Sequence, residues 1–194
     1  MKSENKKWII TVFILTFILS VLFSATSNLI AESFNNVVLL IILLVTIGIG
    51  ILLDVVGTGT ISARESTFHS LSSKRVHGAK TAVFMIKNSS KVSSICNDIV
   101  GDICGIISGS IGTMLAISIS TTYGFNNTIV SIILAAFISS MTVGGKAIFK
   151  PVAIKNANKI VFRTAKIVSF FGGERWKSTI SLILIWFGQM LLQP

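Results

Sequence analysis

Apolar residues gather into four long runs, with polar residues between them. The runs cover about Trp8–Thr26, Val37–Val56, Val92–Ser120 and Thr128–Phe149. Each is close to or above the ~20 residues that an α-helix needs to cross a bilayer. Between the second and third runs, the stretch from Ala63 to about Ser90 is polar and basic. Within it Ala79, Ala82, Val83 and Ile86 recur at helical spacing, with Lys80 and Lys87 on the other side. This predicts an amphipathic helix at a membrane surface. A second is predicted from Pro151 to about Phe171, with Val152, Ile160, Val161, Ala165 and Val168 set against Lys155, Lys159, Arg163 and Lys166. Gly172 and Gly173 separate it from a last apolar segment, Ile180–Leu192, which is too short to span and is expected to lie at the interface or on the bundle. The predicted fold class is all-α: a polytopic membrane helix bundle of four transmembrane helices, with amphipathic juxtamembrane helices on the cytoplasmic face.

Charge orients this bundle. Only 12% of the 194 residues are charged and 52% are hydrophobic, against roughly 25% charged in soluble domains. Sixteen of the seventeen Lys and Arg residues lie before the first run, between the second and third, or after the fourth, and the seventeenth, Lys146, lies near the inner end of the fourth. The loops Ser27–Asn36 and Thr121–Asn127 carry none. Basic loops stay on the cytoplasmic side, so both termini are expected there, in a multi-pass protein of the cell membrane. The formal net charge of +10 does not point to nucleic acid, because the basic residues cap apolar runs and are not interleaved with exposed aromatics. Lipid of the cytoplasmic leaflet is the expected anionic neighbour. The first run also has features of a secretory signal, ending Phe23-Ser-Ala-Thr26, but it exceeds the ~7–15-residue core of such signals. Cys96 and Cys104 are eight apart on one predicted helix, too far to bridge, and read as free apolar thiols.

Polar residues inside the runs carry the candidate chemistry. Asp98 and Asp102 are four apart, which places them on one face of an α-helix. Asn97 flanks them. A charge at mid-membrane costs at least ~2.5–3.5 kcal/mol, so such residues normally face an interior or a wet path. Two carboxylates with amide and hydroxyl oxygens suit a hard divalent cation such as Mg²⁺. Against this, Asp98 lies about two turns after Lys91 and can simply pair with a lysine at the interface. Gly101, Gly105 and Gly109 form a small-residue stripe, read as close helix packing or as backbone carbonyls exposed to an ion. Asp54 and Glu65 read as helix-end or interface charges, and Glu65 suits the N-terminus of a helix. Lys146 is the basic residue closest to the membrane interior and can snorkel outward or neutralise Asp102. His69 and His77 lack the ligand spacing of a zinc site. No Ser–His–Asp order, P-loop or dinucleotide fingerprint occurs, so an enzyme is not expected.

These residues also carry a resemblance. Ile61-Ser-Ala-Arg-Glu-Ser66 resembles the Ser-x-x-Glu motif that closes the first core helix of the CNNM/CorC/CorB transmembrane-domain family. Gly78-Ala-Lys, Ile86-Lys-Asn-Ser-Ser-Lys91 and Ile99-Val-Gly-Asp102 are similar to its surface helix and Ile-Gly-Asn signature. Gly145-Lys-Ala-Ile-Phe-Lys150, followed by Ala153-Ile-Lys-Asn-Ala-Asn-Lys-Ile160, is similar to its Gly-Glu-(x-x)-Pro-Lys motif and basic belt helix. The resemblance covers roughly Val37–Phe171, and the stretch Ser62–Ser70 is most like short CorB-type Mg²⁺/Co²⁺ transporters. It implies three segments: an extra transmembrane helix and outer loop over 1–36, the family-like domain over 37–171, and an interfacial segment over 172–194. It further implies a homodimeric Mg²⁺ transporter, with the ion as cargo and no tightly bound cofactor. By position, Ser62, Asp102 and the Gly145–Lys146 turn would line the ion site, and the reading of the residues themselves adds Asp98 and Asn97 as oxygen ligands. Three departures stand out. The family asparagine is Asp102, the second asparagine near Ile106 is absent, and the glutamate is Lys146, which cannot ligate a cation while protonated. The tandem CBS domains that follow in the family have no counterpart before Pro194. Two readings stay open: a divalent-cation transporter, or a non-transporting scaffold in which Lys146 pairs with Asp102 and a CBS-containing partner is recruited.

Overall fold

The computed structural model describes residues 13–14, 17–18, 20–27, 29 and 34–170, and every regular element assigned among them is helical. Helix α1 is described over 20–27. It is followed by α2 (Asn36–Ser62), α3 (Glu65–Ser73), α4 (Ala79–Lys87) and α5 (Ser89–Ser94). A π-helical turn over Ile95–Val100 leads into α6 (Gly101–Tyr123). Helix α7 (Asn127–Lys155) follows, and α8 occupies 157–170.

Among the described residues, three helices are long and apolar enough to cross a membrane: Asn36–Ser62, the continuous Ser89–Tyr123, and Asn127–Lys155. They match the second, third and fourth apolar runs. The first run is described only in part, and the Ile180–Leu192 segment lies outside the described residues. Local chemistry sets several ends. The Asn35 side chain accepts the Val38 N–H at 3.0 Å and starts α2, and Asn126 does the same for Thr128 at 2.9 Å at the start of α7. Gly124, left-handed at φ 70°, ends α6.

Two local signals for interruption are overridden. The composition of Thr58–Ser62 suggests a turn, but the stretch is the last part of α2. Gly144 and Gly145 suggest a break or early end in the fourth run, but α7 runs through them and through Pro151 to Lys155. Tertiary contact outweighs the roughly 1 kcal/mol helix cost of a glycine: a Cβ at Gly57 would collide with the Asn97 amide, and one at Gly145 with the Ile51 side chain.

The described residues form two compact units. One combines the chain up to Leu53 with Ile99–Ile148. Its core is a ladder of i,i+4 residues, Leu39, Leu43 and Ile47 of α2 against Ile111 and Leu115 of α6, with Leu134 and Ile138 of α7 at the edge. The apolar window of α7 is 0% buried, which suits a helix whose other faces meet lipid or a partner rather than water.

The other unit combines Asp54–Asp98 with the chain from Phe149. Phe68 of α3, Ala82, Met85 and Ile86 of α4, Val92 of α5, and Val161 and Ala165 of α8 form its core. The two predicted amphipathic helices are therefore present, and they bury their apolar faces on each other. Lys80, Lys87, Lys155, Lys159, Arg163 and Lys166 stay exposed as expected.

Candidate functional site

Asn97 is the best-defined element of the site. It sits in the π-helical turn Ile95–Val100. A π turn carries one extra residue and widens the backbone, and such turns are frequent at functional positions. The Asn97 Nδ2 group donates to Ser93 Oγ at 3.2 Å. Its Oδ1 is buried and accepts no hydrogen bond. The same amide is pressed against Gly57 of α2, where any side chain would overlap it. A buried acceptor without a donor costs about 1–3 kcal/mol, so this oxygen is held where a cation or a water would relieve it.

Asp98 lies on the same π turn and Asp102 one residue into α6, both exposed. Among the described residues neither accepts a hydrogen bond or forms an ion pair. Their four-residue spacing crosses the junction of π and α windings, so the one-face geometry of an unbroken α-helix does not carry over unchanged. Asp102 is about 30 Å along its helix from Tyr123, and Lys146 about 28 Å along α7 from Asn127, at ~1.5 Å per residue. Both are thus roughly one hydrocarbon thickness from the α6–α7 turn.

Lys146 is half-buried in α7 and has interactions of its own.

The other candidates divide. Ser62 is the exposed last residue of α2. Glu65 opens α3, where an acid is favoured by the helix dipole, and meets His69 Nε2 at 3.0 Å. His77 Nε2 lies 3.1 Å from Ser169 Oγ. Asp54 is half-buried in α2 and engaged. Gly101 is the half-buried first residue of α6. Among the described residues, a Cβ on Gly105 or Gly109 would meet nothing within 4 Å. With Gly112, Thr113 and residues of α7 such as Ala135 and Ser139 they line an open cleft of about 510 Å³. No group of three His, Cys, Asp or Glu side chains able to hold a metal occurs among the described residues. Any cation here would rest on amide, hydroxyl and at most paired carboxylate oxygens.

Two contributors were missed in the sequence. Ser93 is one helical turn before Asn97, a spacing that could have been noticed. Gly57 could not be assigned to Asn97, since nothing local links residues forty positions apart.

Family models, curated proteins and solved structures were compared with the chain, and none matches.

Proposed function

We propose that the protein conducts divalent cations, Mg²⁺ foremost, across the membrane, with the π turn at Asn97–Asp98 as the polar step in an otherwise apolar helix and Asp102 a further carboxylate four residues along the chain from Asp98. One observation carries this reading: a buried amide oxygen without a donor, clamped by Gly57, in a span-capable helix that also presents two unpaired carboxylates. Hard cations select such oxygens, and unpaired acids in membrane helices mark ion paths. Its resemblance to CNNM/CorC/CorB domains points to the same cargo and to a homodimer. Co²⁺ is a second candidate cargo on that basis.

The test is Mg²⁺ flux in proteoliposomes. Wild type is expected to carry Mg²⁺. Asn97→Leu and Asp102→Asn should each reduce flux about tenfold or more, the worth of one charge-assisted oxygen contact. Flux absent in wild type but gained in Lys146→Glu would overturn transport and support a scaffold whose ion position is filled by lysine.

A further inference from the structure

From Phe149 to Phe170 the chain has five basic residues and no acidic one. Its inner stripe is Ala153, Ala157, Val161 and Ala165, spaced four apart and all buried. Three of those alanines expose little side chain to pack, which lets α8 lie close on its neighbours. Lys159, Arg163, Lys166, Ile167 and Phe170 recur at i, i+4, i+7, i+8 and i+11 and occupy the opposite face. The three cations are exposed, and Ile167 and Phe170 are 59% and 82% exposed. Among the described residues no acid pairs with these cations; Lys166 Nζ instead lies 4.7 Å over the Phe162 ring.

We infer that this outer face of α8 is a docking surface for anionic phospholipid in the leaflet where α7 ends. Charge complementarity and chain continuity select that occupant. Water alone would leave the exposed Ile167 without apolar contact, and nucleic acid would meet the cations but not that side chain. The headgroup–acyl boundary takes both, with phosphates on the cations and acyl chains on the apolar groups. Helix α8 starts two residues after Lys155, so the chain leaves a span-capable helix directly into this face.

The experiment measures association of labelled phosphatidylglycerol, relative to labelled phosphatidylcholine, with the full chain in nanodiscs. Wild type is expected to prefer phosphatidylglycerol. The variant Lys159→Gln/Arg163→Gln/Lys166→Gln should lose that preference by at least about fivefold, equivalent to one basic residue at the membrane surface. Lys2→Gln/Lys6→Gln/Lys7→Gln removes equal charge elsewhere and should keep it. No preference in wild type, equal loss in both triple variants, or displacement of the lipid by millimolar inorganic phosphate at fixed ionic strength would each overturn the inference. Circular dichroism reports folding. If the first triple variant unfolds, the single Lys159→Gln decides: a partial loss supports the surface and an unchanged preference overturns it.

Discussion

At the scale of single residues, the Gly57–Asn97 contact is the most exacting feature of the protein. Gly57→Val would drive a branched side chain into the Asn97 amide. Overpacking of this kind typically costs about 1–3 kcal/mol, so thermal unfolding in detergent should shift downward. Adding Asn97→Ala should recover more than half of the loss, and a double mutant no better than Gly57→Val would show the contact to be unimportant. By contrast the Glu65–His69 pair, whose side chains are 45% and 53% exposed, is screened by water. Glu65→Gln should change stability by less than about 0.5 kcal/mol in the same measurement, within the range of exposed pairs. Asn97 was legible in the sequence because an amide in an apolar run is costly and conspicuous. Gly57 was not, because a glycine marks a turn and a close approach with the same letter. Only the distant partner decides between them.

Elements were read well where periodicity governs and less well where glycine or proline does. The apolar runs placed the starts of the three spans to within about three residues, but ended α2 and α7 six residues short. The turn at Thr58–Ser62 and the early stop at Gly144–Gly145, which did not occur, rest on local propensity alone. The stripe from the end of α7 along α8 was only half seen, since Ala153 and Ala157 are buried while offering a weak hydrophobic signal. The π turn has no sequence rule behind it at all. Within α6 the glycines are expected to separate by role. Gly105→Ala and Gly109→Ala should leave unfolding temperature unchanged or slightly raised, since their Cβ positions are open and alanine is the better helix former by roughly 1 kcal/mol. Gly112→Ala should lower it, because Ile138 occupies the space a Cβ needs. Equal effects at all three positions would contradict the cleft.

At the scale of the whole molecule, exposure has two meanings that an isolated chain does not separate. Ile132, 63% exposed on α7, fits lipid. Asp102, exposed and unpaired, fits water, because a carboxylate in hydrocarbon costs at least ~2.5 kcal/mol. Phe125, 61% exposed in the α6–α7 turn, lies in a loop without basic residues and is expected on the outer side. Membrane-impermeant thiol reagents distinguish the three. With Cys96 and Cys104 replaced by Ala, Phe125→Cys should react only from outside and Asp102→Cys only from the cytoplasmic side. Ile132→Cys should react from neither. Modification of positions 125 and 102 from the same side would overturn the topology inferred from the lysines and arginines. Asp102→Cys inert from both sides would put that position in lipid or in a sealed interface and remove the wet approach that cation transport needs. Reaction at 102 slowed by millimolar Mg²⁺, with 125 unaffected, would place the ion on the path that the Asn97 turn opens.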